Sequence, residues 1–316
     1  MRQKGFGRVG VLSGGISSER EISLRSGKSV YDALVREGID AVLLDVKRGI
    51  KNAIRDSRID MAFIALHGKF GEDGTVQKML EEAGIPYTGS GVEASRLAID
   101  KIASKETFVR NGIPVCRHAV MVKGSTPLDI LGDIGLPMVI KPQSEGSSIG
   151  LSIVREGEGI ERAVKEAFKY GDKIMAEEYI EGRELTVGIL ADKALPVVEI
   201  VAANRVYDFA AKYNDSSTRY LVPAPVSKEV YERASSAGES AHKALGCRSF
   251  SRVDMIADNS GRVYVLEVNT IPGMTERSLL PKAAEAAGLR FGRLCVTILE
   301  NALLQAGENH GQTKKS

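Results

Sequence analysis

The stretch FSRVDMIADNSGRVYVLEVNTIPGMTERS, Phe250 to Ser278, decides how the rest of the chain is read. Val253 to Ala257 and Arg262 to Val268 are short apolar runs, and Asp258-Asn259-Ser260-Gly261 between them is rich in turn formers. The pattern predicts a β-hairpin. A two-residue loop at Asn259 and Ser260 sets Arg252 opposite Glu267 and Asp254 opposite Val265. Side chains alternate along a strand, so Arg252, Asp254, Glu267 and Asn269 are expected on one face.

On that face Asp254 and Glu267 are diagonal neighbours, with Cβ atoms about 7 Å apart. Carboxylates approaching to about 5 Å repel by about 3 kcal/mol at an effective dielectric of about 20. Arg252 offsets part of this. The remainder points to a cation, because two carboxylates and the Asn269 amide oxygen are hard ligands of the kind Mg²⁺ accepts beside phosphate oxygens and water. The same residues also fit a solvated strand face with an ordinary Arg–Glu pair.

A chain of 316 residues exceeds what one compact core usually needs, so two or three subdomains are expected. The 43 basic and 41 acidic residues nearly balance, which gives no case for nucleic acid or a membrane surface. Cys116, Cys247 and Cys295 are isolated, so neither a zinc site nor a disulfide framework is indicated. No apolar run approaches membrane-spanning length, and the expected location is the reducing cytoplasm.

The first third alternates apolar strands with amphipathic helices, the mark of a parallel α/β sheet. Strands are predicted at Arg8 to Leu12, Ala41 to Val46, Met61 to Leu66 and Ile85 to Thr88. Ser17 or Ser18 can cap a helix running to about Glu37, and one long helix is predicted over Val92 to Asn111. Leu136 to Lys141 and Ile149 to Val154 read as a hairpin around Gln143 to Ser148, followed by a helix at about Gly159 to Tyr170 and a strand at Lys173 to Glu178. Leu185 to Leu190 and Pro196 to Val201 open a third unit. Ala203 to Pro225 has neither period, which in a compact protein suggests a functional loop. A helix over Phe291 to Gln305 and a disordered polar tail, Gly307 to Ser316, close the chain.

The Gly/Ser loop after Lys141 can bring backbone N–H groups and hydroxyls to phosphate oxygens, although a surface turn would look similar. It is not a Walker A loop, and Gly27-Lys28-Ser29 lacks the required first glycine because position 22 is Ile. Ser13-Gly14-Gly15 lacks dinucleotide spacing, while Gly89-Ser90-Gly91 with Ala94 follows the wrong strand. Glu19 starts the first helix, where the dipole favours an acid, and His67 follows the third strand at its C-terminal end, where open α/β sheets place ligands.

Taken together, these features resemble the ATP-grasp superfamily and, within it, the D-alanine–D-alanine ligase family. The resemblance runs through GGISSEREISLRSG at Gly14–Gly27, ALHGKFGEDGTVQ at Ala65–Gln77 and YTGSG at Tyr87–Gly91. It continues through KPQSEGSSIG at Lys141–Gly150, AAKY at Ala210–Tyr213 and RVDMIADNSGRVYVLEVNTIPGMTERSLLP at Arg252–Pro281. The fold it implies is α/β, with α+β character in the ATP-binding units. An N-terminal, parallel, Rossmann-like domain (1–100) precedes a two-part ATP-grasp: a central lid domain (101–184) and a C-terminal domain (185–316) with the metal site and a mobile loop (203–225). The nucleotide is expected between two sheets.

The same resemblance implies the site residues. Lys101 and Lys141 match phosphate lysines, and Gly146, Ser147 and Ser148 match a phosphate-closing lid. Glu177, Tyr179 and Ile180 match the adenine segment, Glu184 the ribose acid, and Asp254, Glu267 and Asn269 the ligands of two Mg²⁺ ions, with Mn²⁺ as substitute. Glu19 matches the holder of the first substrate's ammonium, and His67 is placed at the substrates. Arg252 and the Gly273 N–H match an oxyanion site, and Ser278 with Leu279 the pocket for the second carboxylate. Tyr213 and Lys212 match the closing loop, with Tyr213 directed towards Ser147 and Glu19. The implied activity is ATP-dependent joining of two D-alanines through an acyl phosphate for cell-wall precursors, by a cytoplasmic homodimer. Another carboxylate–amine ligase, or D-alanine–D-lactate ligation, is the alternative. No general base for the incoming ammonium is identified.

Overall fold

The computed structural model describes residues 5–47, 55–127, 132, 134–201 and 218–312. The N-terminal unit carries β1 (Val9–Gly14), α1 (Arg20–Arg36), β2 (Ala41–Val46), β3 (Met61–Ile64) and α2 (Thr75–Glu82), and the following α3 (Val92–Ile99) and α4 (Lys101–Arg110) pack through Ala94, Ala98 and Phe108 on the core of the last sheet. Its three strands are parallel in the order β2-β1-β3. Val9 and Val11 of β1 pack on one side with α1, while Leu12 packs on the other with Ile59 and Leu80.

A four-stranded antiparallel sheet follows in the order β4-β7-β5-β6, from β4 (His118–Val122), β5 (Met138–Pro142), β6 (Ser152–Val154) and β7 (Lys173–Glu178). The helix α5 (Ile160–Ala167) covers it, with Ala163, Val164 and Ala167 against Met138, Ile140 and Ile174. The last sheet holds β8 (Gly182–Leu190), β9 (Lys193–Ala194), β10 (Val198–Val201), β11 (Arg219–Leu221), β12 (Phe250–Asp258) and β13 (Val263–Asn269). Its main order is β11-β10-β8-β12-β13. The helix α6 (Lys228–Ala244) covers its apolar face, where Val253 and Met255 alternate with the cleft-facing Arg252 and Asp254. Finally, α7 (Leu279–Ala286) and α8 (Phe291–Gln312) pack back on the N-terminal core.

Several expectations are corrected. Ile85 to Thr88 contributes only a bridge between Ala62 and Tyr87. The single helix over Val92 to Asn111 is two, broken at Asp100, whose carboxylate caps α4 through the N–H groups of Ile102 and Ala103 at 3.0 Å. Within Ala203 to Pro225, Arg219–Leu221 forms an edge strand on β10, and residues 202–217 lie outside the described ones. The last helix runs through positions 307–312, where a polar tail is expected from the sequence.

The hairpin register also differs. Asp258 N–H donates to Arg262 O, leaving Asn259, Ser260 and Gly261 as a three-residue loop, with Gly261 at φ +80. A bulge then places one extra residue, Leu266, in β13, so Asp254 faces Glu267 and Arg252 faces Asn269. The two acids are therefore direct cross-strand neighbours.

Candidate active site

Two clefts meet over this hairpin. The first, of about 1060 Å³, is lined by Glu19, His67, Glu72, Arg252, Gly273 and Ser278 among others. The second, of about 730 Å³, lies between the four- and six-stranded sheets and is lined by Lys141, Glu177, Tyr179, Ile180, Glu184 and Asp254 among others. Lys101, Glu145 and Glu267 line both, so a molecule in one cleft can meet a molecule in the other at this shared wall.

The walls are highly charged. Lys101 Nζ lies 3.5 Å from Glu267 Oε2 and donates to the Glu145 carbonyl at 2.6 Å. Lys141 Nζ lies 2.7 Å from Glu177, which also meets Lys105 at 2.8 Å. Burial opposes the Lys141 charge, but Glu177 and Glu267 outweigh it and hold its pKa above the usual lysine range. Burial likewise opposes the Glu177 charge, and Lys105 and Lys141 overcome it, bringing its pKa to about 2. A permanently cationic Lys141 lining the inter-sheet cleft is a fitting phosphate contact.

Arg252 forms a bidentate pair with Asp254, at 2.8 and 2.7 Å, where the sequence had set it opposite Glu267. Thr186 Oγ donates to the same carboxylate at 2.6 Å. Asn269 Oδ1 is buried and has no hydrogen-bond partner among the described residues. A buried, partnerless acceptor on the same strand face as two paired acids fits a hard cation. Among the described residues no group of three His, Cys, Asp or Glu forms a metal cage, so an ion here would complete its shell with phosphate oxygens and water.

In the first cleft Ser147 Oγ donates to Glu19, tying the Gly/Ser loop to the first helix. Ser147 and Ser148 adopt φ +51 and +60, which turn this loop inwards at some conformational cost. Gly146 must stay small, since a Cβ there would lie 2.8 Å from Glu19 Oε2. His67 is buried, and burial pushes its pKa down. Its Nε2 lies 3.0 Å from Ser26 Oγ, which also accepts the Met274 N–H, so this pair anchors the Gly273 loop. Ser278 starts α7, its Oγ accepting from Thr275 N–H at 3.1 Å and standing over Gly273. Leu279 is buried behind it.

The fold thus brings every sequence-predicted residue to one of the clefts or their rims, save Lys212 and Tyr213, which lie outside the described residues. Sequence reasoning missed Lys105, Thr186 and Glu72. Lys105 was within reach: Lys101 and Lys105 are spaced i,i+4, which puts both on one face of α4.

A family model described as D-ala D-ala ligase C-terminus matches residues 108–300, and its N-terminal counterpart matches 47–90. The chain belongs to the D-alanine–D-alanine ligase family. Family relatives named D-alanine–D-alanine ligase include one from Geotalea uraniireducens, 47% identical over 95% of this chain and 97% of its own length. Another, from Geobacter sulfurreducens, is 47% identical over 96% of this chain and 97% of its own. The crystal structure of the Bacillus anthracis ligase complexed with ATP superposes with a TM-score of 0.85 at 35% identity, covering 96% of this chain and 99% of that one. A second structure of that ligase gives a TM-score of 0.87 at 38% identity over the same shares. Among the described residues of this family member, no helix is long and apolar enough to cross a membrane.

Proposed function

We propose that the chain joins two D-alanine molecules at the expense of ATP, releasing ADP and phosphate, for cell-wall precursor synthesis. The observation that carries this reading is the pair of clefts sharing the wall Lys101, Glu145 and Glu267. The inter-sheet cleft takes the nucleotide. Glu177, Tyr179 and Ile180 face the adenine, Glu184 the ribose, and Lys101, Lys141, Lys212 and the loop of Gly146, Ser147 and Ser148 the phosphates. The other cleft takes the amino acids. Glu19 holds the first ammonium beside His67, and Ser278 with Leu279 seats the second carboxylate at the start of α7.

Asp254, Glu267 and Asn269 would hold Mg²⁺, or Mn²⁺ in its place. When bound, the ion neutralises charge on the transferring phosphoryl group. The chain's own residues do the rest. They bring the first carboxylate to the γ-phosphate across the shared wall, giving an acyl phosphate that the second amine attacks. Lys101 and Lys141 offset phosphoryl charge, and Arg252 with the Gly273 N–H stabilises the oxyanion of the tetrahedral intermediate. Ser147, held on Glu19, keeps the loop closed over the acyl phosphate intermediate that water would hydrolyse, and Tyr213 joins that closure. A homodimer in the cytoplasm is part of this reading.

Purified protein with Mg²⁺ is expected to release phosphate from ATP when D-alanine is supplied and not with L-alanine. Mass measurement should find D-alanyl-D-alanine as product, also when D-lactate competes. ADP formation indifferent to D-alanine would defeat the assignment, and a depsipeptide product would favour the D-lactate alternative.

A further inference from the structure

A D-alanine ammonium must lose a proton before it can attack, and none of the roles above provides an acceptor. Four side chains in the first cleft deserve comparison. The Glu19 carboxylate is engaged by Ser147. His67 is held by Ser26 at Nε2 and by the Ile271 backbone carbonyl, so its ring is spoken for as a structural anchor. Glu145 is half-buried, and burial raises its carboxyl, but Lys101 and Lys69 stand against that rise and offer its charge partners that Glu72 lacks. Glu72 is different.

Glu72 lies in the first cleft, where Gly68 separates it from Glu19. Its Oε2 accepts the Gly68 N–H at 2.6 Å, and a Cβ on Gly68, which adopts φ +67, would sit 2.6 Å from Glu19 Oε2. Two carboxylates therefore flank one glycine with no room for a larger residue between them. The Ile271 backbone, just ahead of the Gly273 loop, holds Glu72 from the other side. Arg252 is the cation that faces it, and Glu19 the anion. This placement aims a carboxylate at the space between the first ammonium's holder and the oxyanion loop, where the second amine must arrive.

We propose that Glu72 is the general base that accepts the proton of the incoming ammonium. The role rests on the ligase reading above. In the step, one N–H proton passes to the Glu72 carboxylate and the freed nitrogen lone pair attacks the acyl carbon. The C–N bond forms, and the C–O bond to phosphate breaks with its electron pair leaving on phosphate. Phosphate takes the second nitrogen proton, so the products are a neutral amide, hydrogen phosphate and protonated Glu72. Burial first, and Glu19 second, push the Glu72 carboxyl up to about 8, against the Gly68 N–H and Arg252. Its proton affinity thus approaches that of an amine, as a working base requires. An arriving ammonium would ionise it in place.

The test is Glu72→Gln, which keeps an acceptor for Gly68 N–H, assayed with D-alanine and with hydroxylamine as the second nucleophile. Hydroxylamine is already uncharged at neutral pH and needs no base. The dipeptide rate is expected to fall by about 10²–10⁴-fold, while D-alanyl hydroxamate formation falls less than tenfold. The wild-type acid limb set by Glu72 should also give way to a residual rate that keeps rising with pH up to the ammonium's own, higher pKa. Dipeptide formation within threefold of wild type, or equal losses with both nucleophiles, would overturn the proposal. Should Gln unfold the protein, Glu72→Asp serves: the hydroxamate-to-dipeptide ratio rises at least tenfold if Glu72 is the base, and stays unchanged if it is not. A wild-type protein that makes no dipeptide refutes the ligase reading instead.

Discussion

Asp254→Asn is expected to slow ligation by at least about two orders of magnitude. Removing one anionic oxygen donor from a hard-cation site weakens both ion binding and the charge stabilisation it supplies, an effect worth several kcal/mol in such sites. The substitution also touches the fold. Asp254 holds Arg252 bidentately and accepts from Thr186, and Asn can keep the Thr186 bond but not the charge. Losing a charged hydrogen bond between nearly buried groups costs about 1.5–3 kcal/mol, so Tm should drop by several degrees. The activity loss should outlast any correction for folding: at temperatures where the variant is fully folded, raising Mg²⁺ should recover part of the rate. Full activity at ordinary Mg²⁺ would contradict the metal role.

Lys105→Met should destabilise the protein by about 3 kcal/mol, about five degrees in Tm, although Lys105 lines neither cleft. Its ammonium is fully buried and lies 2.8 Å from Glu177, so removal leaves Glu177 with Lys141 alone. The acid dependence follows from the same cluster. Glu177's folded pKa of about 2 lies below the ordinary 4.5, so its contribution is complete above pH 4.5 and lost as pH falls towards 2. That depression corresponds to about 3 kcal/mol at about 1.4 kcal/mol per unit. Calorimetry from pH 7 to pH 2 should find a steep loss in the wild type across this window and a shallower one in Lys105→Met. Coincident melting curves would contradict the account. Binding of ATP should weaken in parallel, because Glu177 would then depend on Lys141 as its remaining cation and compete with phosphate for it.

The hairpin illustrates how much the chain discloses on its own. Alternation correctly puts Arg252, Asp254, Glu267 and Asn269 on one face, yet the pairing behind that inference is wrong twice. A three-residue loop shifts the register by one, which alone would turn Glu267 to the core side; the bulge at Leu266 shifts it by one again and turns Glu267 back. Loop length and bulges depend on tertiary packing, so local propensity leaves them open. The break at Asp100 was legible in principle, since Asp is a strong N-cap, but the apolar period runs through it and masks the cap. The edge strand Arg219–Leu221 carries no period because only three residues pair. The spacing of Lys105 to Lys101 was legible, but its weight, like that of Glu72, comes from burial and from neighbours far away in sequence, Glu177 and Glu19, which no window of residues contains.

The central claim is that Asp254, Glu267 and Asn269 sit together to hold a divalent ion against the phosphates of a nucleotide lying between the two sheets. Crystals grown with Mn²⁺ and a non-hydrolysable ATP analogue test it directly through the manganese anomalous signal. The account predicts anomalous peaks in contact with these three side chains and with phosphate oxygens, and the adenine beside Tyr179 and Ile180. Manganese bound elsewhere, or nucleotide bound without metal at this hairpin, would contradict it.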